Sequence, residues 1–364
     1  EPKERLIRTA WMEKTRVVRA DAAEPRTRHR DLPAPCYDGL QLSRYPGITE
    51  SPNPMHRLWT ERRWLKLQLA HGCYWRRCAF CDTTLDYISR FDPADPETVA
   101  NWMESMIRET GETGFHFVDE AAPPALLRGL AETLLARGLR VSWWANIRFE
   151  RTFSRETADL LARSGCVAVT GGIECAESRL LNLMNKGVTP EQAARTARAF
   201  SSAGVLVHAY LMYGFPGQTL QETADGLELV RQLFRNQCLH SAYWHRFALT
   251  THSGMAAKPG RFGIRPGPIP RASRFGRFAI NEIPYRGGHR IDPEPLGASL
   301  HAAVYNYMHG VGLDADIRSW FARRMPAPRL AADAVARWLE AQLSQRPTGT
   351  PDCRAPKSGS GKPV

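Results

Sequence analysis

From residue 65 onward, short strand-like runs take turns with longer stretches of helical period. Leu65, Leu67 and Leu69 alternate with Lys66, Gln68 and Ala70, the period of a strand. Val99, Trp102, Met103, Met106 and Ile107 then recur at helical spacing within residues 96–111. The same reading predicts strands at 115–118, 141–149, 167–173, 205–212 and 242–249. It predicts helices at 126–136, 154–165, 177–187, 190–204 and 220–234. Six such alternations within roughly 190 residues imply parallel strands joined by helical crossovers. Periodicity alone leaves open whether they form a doubly wound sheet or a barrel.

The flanks read differently. Residues 1–64 are rich in Arg and Pro, show no sustained period, and are expected to form an extended arm. Residues 256–295 form a Gly/Pro/Arg-rich stretch, after which helices are expected at 295–310, 315–324 and 331–345. These last helices are expected to pack on the core or cover its mouth, as a region spanning 256–346. Residues 347–364 have the composition of a disordered tail.

Composition narrows the class. The 43% hydrophobic and 24% charged content suits a globular protein and excludes a wholly disordered one. No window approaches the ~18 uninterrupted apolar residues of a membrane span, so no membrane partner is expected. The first residues lack the apolar core of a secretory signal, so a cytoplasmic location is expected. The chain also starts without Met, which leaves room for a segment upstream. The net charge of +12 admits an anionic partner. Residues 258–290 hold eight Lys or Arg against one acid, Glu282, with Phe262, Phe275, Phe278 and Tyr285 between them. That pattern would suit stacking on nucleic acid, or a solvated basic loop.

The chemistry concentrates at Gly72-Cys73-Tyr74-Trp75-Arg76-Arg77-Cys78-Ala79-Phe80-Cys81-Asp82, a C-x4-C-x2-C spacing just after the first strand. Three thiolates within nine residues can converge on one soft-metal centre. With His71 as a fourth ligand this would be a structural zinc site. Otherwise it would be a [4Fe–4S] cluster with one iron open to another ligand. Three further segments end predicted strands. Asp119-Glu120 offers either carboxylates at a barrel mouth or a helix cap. Gly171-Gly172-Ile173-Glu174 offers close backbone approach and a carboxylate for paired hydroxyls. Gly214-Phe215-Pro216-Gly217 reads as a tight turn, with Thr219 and Glu222 capping the next helix.

The cysteine loop and the alternation around it resemble the radical S-adenosylmethionine (SAM) superfamily, over roughly residues 65–255. One extra residue between Cys73 and Cys78 departs from the usual C-x3-C-x2-C. The Cys-Tyr-Trp-x-x-Cys form is similar to members that carry an upstream cobalamin-binding domain. The resemblance implies an α/β fold, a partial (β/α)6 TIM-like barrel with an N-terminal arm and a helical C-terminal cap. It implies that Cys73, Cys78 and Cys81 hold a [4Fe–4S] cluster and that SAM chelates the remaining iron. Phe80, Asp119, Glu120, Gly172, Glu174, Gly214, Pro216 and Gly217 would contact SAM. The implied reaction is reductive cleavage of SAM to a 5′-deoxyadenosyl radical, which acts on an unknown substrate, with methyl transfer or a carbon-skeleton reaction as candidates. An electron donor such as flavodoxin or ferredoxin is implied as partner. Cobalamin is expected only if an upstream domain accompanies this chain, which contains no Asp-x-His-x-x-Gly motif. The alternative is a zinc- or cluster-stabilised RNA-binding protein without radical chemistry.

Overall fold

A computed structural model describes residues 9–20, 27–45, 63–268, 281–288 and 292–344. Six strands stand where the alternation placed them: β1 (Leu65–Leu67), β2 (Gly114–Phe117), β3 (Ser142–Ile147), β4 (Cys166–Glu174), β5 (Leu206–Tyr213) and β6 (Ser241–Arg246). Every neighbouring pair is parallel, and the order in the sheet is the order in the chain. A doubly wound sheet would reverse that order at a switch point. Winding in one sense throughout is that of a barrel, and here it gives a partial TIM barrel of six strands.

The crossovers are α1 (Pro96–Thr110), α2 (Pro124–Ala136), α3 (Arg155–Arg163), α4 (Pro190–Ser202) and α5 (Leu220–Arg235). Their starts follow from sequence. Asp95 caps α1 by accepting the Thr98 N–H at 2.9 Å, with Pro96 at the first position. Thr219 and Glu222 form a full capping box on α5. One face of each strand joins the main core. Leu65, Leu67, Phe115, Phe117, Val169 and Val207 pack there with Met103, Leu127, Leu161 and Phe200 from the helices. The opposite face carries rows fixed by register. Lys66, His116, Trp144, Ala168 and Leu206 form one row, and Asn146, Thr170, His208 and Ser241 the next. Strand C-terminal ends therefore share one rim, where loops can meet.

Two stretches differ from the sequence expectation. Within the arm, strands Thr9–Glu13 and Arg16–Ala20 pair antiparallel. Their outward side chains leave little alternation to read. Residues 315–324 were expected to be helical, but only the 3-10 turn Ile317–Trp320 forms. Asp316 caps it by accepting the Arg318 N–H at 2.9 Å, and Pro326 and Pro328 bias the chain behind it away from helix. Beyond it, α6 (Glu294–Met308) packs on β6 and α5, and α7 (Ala334–Ser344) packs on α4 and α5. The tail after 346, residues 46–62, and Arg271, Phe275 and Arg277 of the basic stretch lie outside the described residues.

Candidate active site

The cysteine loop leaves β1 and is pinned at several points. Gly72 turns it with φ +80°, and a Cβ there would fall 1.6 Å from the Arg90 carbonyl oxygen, so only glycine fits. The longer C-x4-C stretch lies against residues 184–187. The Trp75 indole N–H donates to the Asn185 carbonyl at 2.9 Å, and its ring lies 4.3 Å from the Arg148 guanidinium. Gly187 sits against that ring, where a Cβ would come within 2.1 Å. The Asn185 amide donates to the Arg77 carbonyl, and the Ala79 N–H to the Met184 carbonyl. Within the C-x4-C stretch Arg76 holds a left-handed φ of +53°. After Cys81, the buried Asp82 carboxylate accepts from the Thr250 hydroxyl, the Asn281 amide and the Tyr87 hydroxyl. Loop and barrel rim are thus joined by residues far apart in sequence.

Inside this frame lies a cavity of about 240 Å³ at the C-terminal ends of the strands. Cys73, Cys78 and Cys81 all line it. Phe80, Glu120, Arg148, Gly172, Glu174, Lys186 and Tyr210 line it with them. Lys186 and Glu174 form a buried ion pair at 2.6 Å. Glu174 holds φ +65°, and a Cβ on Gly172 would meet its Oε1 at 2.0 Å. Burial works against the Lys186 charge, yet Glu174 and the Cys78 sulfur beside it more than offset this and hold the ammonium above the usual lysine range. The shared bond from Cys81, followed by the charges of Lys186 and Arg148, pulls Cys78 down to about 6 against the effect of burial. The same bond, with burial, pushes the Cys81 thiol up. The pair therefore favours a thiolate at neutral pH, the form that ligates metal.

Among the described residues, no group of three or more His, Cys, Asp or Glu converges tightly enough to hold one metal ion. His71, the expected fourth zinc ligand, instead bonds Asp86 at 2.9 Å. Of the other expected contacts, Phe80, Glu120, Gly172 and Glu174 share the cavity with the thiols. Asp119 does not. It is fully buried, and its two oxygens accept the Leu69 and Ala70 N–H groups at 2.9 and 2.8 Å. Nor does it cap the following helix, which starts after Pro123. Gly214 and Gly217 line a separate cavity with Arg179, Phe262 and Pro293, and Pro216 packs against Gly288. Sequence reading gives Lys186 no role, and Arg148 is one polar side chain among several near strand ends, with Asn146, His208, Tyr210 and His245. A lysine directly before Gly187, after Gly-Ile-Glu, is the only sequence signal for the first.

Residues 67–230 match the family model of the radical SAM superfamily. An uncharacterized methyltransferase of Pyrococcus horikoshii is 27% identical over 221 residues, covering 59% of this chain. The chain spans 45% of that relative's length. The radical SAM methyltransferase TsrM from Kitasatospora setae, solved with cobalamin and a [4Fe–4S] cluster, shares the fold with a TM-score of 0.55 at 18% identity. That match covers 82% of this chain and 62% of TsrM. The cobalamin-dependent radical SAM enzyme OxsB gives a TM-score of 0.57 at 14% identity, over 80% of this chain and 46% of OxsB. Fold, cysteine loop and family match agree over the barrel, and residues 67–230 form a domain of the radical SAM superfamily.

Proposed function

We propose that Cys73, Cys78 and Cys81 hold a [4Fe–4S] cluster, that SAM binds beside it, and that the chain uses both in radical chemistry on an organic substrate. The observation that carries this reading is that three thiols, a thiolate-stabilising pair of cations and a buried carboxylate share one cavity at the barrel rim. When bound, the cluster and SAM supply a one-electron reductive cleavage that yields a 5′-deoxyadenosyl radical. This chain's residues do the rest. Arg148 and Lys186 offset the negative charge of the thiolates. Phe80 offers an apolar face, and Lys186 lies 5.8 Å from its ring. Gly172 permits close approach of a ligand to the β4 backbone. Glu120, whose carboxyl burial and the nearby Asp82 push up, is suited to accept hydrogen bonds from a SAM ammonium. Asp119, Gly214, Pro216 and Gly217 receive no cofactor role in this reading, because their polar groups or positions are committed elsewhere.

Anaerobic reconstitution tests this. The wild-type chain should take up about four irons, and Cys78→Ala should lose most of them. With dithionite and SAM the wild type should release 5′-deoxyadenosine, and Cys78→Ala should release none. Equal iron content in the two, or no cleavage product from a loaded wild type, would overturn the reading. Methyl transfer is the finer proposal, supported by the name of the Pyrococcus relative. SAM carrying a deuterated methyl group should then pass the label to product, and label retained wholly in methionine would argue for another radical reaction.

A further inference from the structure

The cluster loop has an outer side. A second, smaller cavity of about 200 Å³ lies against Cys78 and Ala79 from without, between the cysteine loop and the segment Gly254–Phe262. Cys78 lines both cavities and so forms part of the wall between them. Arg76, Arg77, Lys258 and Arg261 surround the outer cavity, and all four are exposed. Among the described residues, no acidic one lines it or the adjoining groove bounded by Trp75, Thr83 and Ser89. Among the described residues, none of these four cations has an acidic partner. Arg76 donates only to the Ser89 carbonyl at 3.1 Å, while the Arg77 and Arg261 guanidiniums lie near the Trp75 and Phe262 rings. Elsewhere the surface arginines are commonly paired, as Arg128 is with Glu132 and Arg155 with Asp159. Cations without an acidic partner are thus gathered around an outer cavity that one of the three thiols lines.

We infer that this face docks an acidic one-electron carrier protein that reduces the cluster. The inference rests on the function proposed above, which requires an electron from outside. Electron transfer weakens steeply with separation, so a donor gains by approaching a cavity that a cluster-binding thiol itself lines, as Cys78 lines this one. A patch of one sign also raises the encounter rate with a partner of the other, typically ~10 to ~10³-fold, and does so less as salt rises. The step balances simply. A reduced [2Fe–2S] ferredoxin gives up one electron and is oxidised, the [4Fe–4S] cluster takes it and passes from the 2+ to the 1+ state, and no proton need move.

The test uses the reconstituted chain and a reduced acidic ferredoxin, with cluster bleaching followed in a stopped-flow instrument. The variant is Lys258→Glu/Arg261→Glu, at two residues that do not line the inner cavity. The control is Arg140→Glu/Arg163→Glu, which reverses two exposed charges elsewhere. At low ionic strength the first variant should be reduced by ferredoxin at least about tenfold more slowly than wild type, and the control near the wild-type rate. Reduction by dithionite should be equal in all three. Added salt should close the gap, and Lys258→Arg/Arg261→Lys should restore the rate. Equal slowing in variant and control would make this an effect of net charge and would sink the proposal. A wild-type ferredoxin rate in the variant, with a loss of salt-sensitive RNA retention, would make the patch an RNA-binding face instead. Failure of dithionite to reduce the wild type would instead overturn the cluster assignment itself, and this inference with it.

Discussion

At the residue scale, the pair Lys186–Glu174 shows what the candidate site asks of its neighbours. Both side chains are at most 10% exposed, and each is the other's main compensation. Removing one partner of such a pair leaves a buried charge unmatched, which typically costs about 3–5 kcal/mol. Lys186→Met should lower unfolding stability by that order in urea titrations of the cluster-free chain. Lys186→Met combined with Glu174→Gln should recover much of the loss, since the orphan charge is gone. A Lys186→Met loss below about 1 kcal/mol would mean that water reaches Glu174 and that the pair is not sealed. Only half of this pair was legible in sequence. Glu174 stands out because two glycines precede it at a strand end. Lys186 does not, because its partner is reached only once the short helix Ser178–Leu183 turns the chain back. Arg148 is hidden for the same reason: its contact with Trp75 joins positions that only the barrel brings together.

At the element scale, the ends of β1 and β2 are locked by Asp119. Two N–H donors would favour its charged form, but complete burial weighs more and pushes the carboxyl up to about 6 from an unfolded value near 3.8. The folded chain therefore holds this proton more tightly than the unfolded one. The resulting stability is fully present below pH ~4 and is lost as pH rises through about 6, an effect on the order of 2–3 kcal/mol. Asp119→Asn carries no titrating group there. The difference in unfolding free energy, wild type minus Asp119→Asn, should fall by that order between pH 4 and pH 6. Comparing the two chains cancels carboxyls such as Glu222, which its partners hold below the usual range and which act in the opposite direction. A difference that stays flat would mean that Asp119 is ionised throughout. The six strands were legible because each alternates, or is apolar enough, over four or more residues. The role of Asp119 was not, because its partners are backbone N–H groups of another element and carry no sequence signature.

At the scale of the whole molecule, the question is whether the C-terminal region is a separable cap. Leu296, Leu300, Val304, Tyr307, Ile317, Phe321, Met325 and Val335 are all buried, and all belong to the main core. Polar contacts follow the same route. His301 donates to the Trp244 carbonyl at 2.7 Å, Arg329 bonds Asp225 and Glu177, and Gln232 both donates to the Ala331 carbonyl and accepts the Val335 N–H. Burying eight such side chains is worth on the order of 10–20 kcal/mol. That matches or exceeds the ~5–15 kcal/mol by which a typical domain is stable. Ending the chain at residue 291 should therefore cost the barrel its cooperative fold, not merely a lid. Helical far-ultraviolet signal should partly persist in the shortened chain, while near-ultraviolet signal from Trp143 and Trp244 collapses and thermal unfolding loses its sharp midpoint. The full chain should give coincident transitions by both probes. A shortened chain that still melts sharply would show that barrel and C-terminal helices fold independently. The helical pattern of residues 295–310 and 331–345 pointed to apolar faces in need of a partner, but the partner was readable only once β6 and α5 stood beside them.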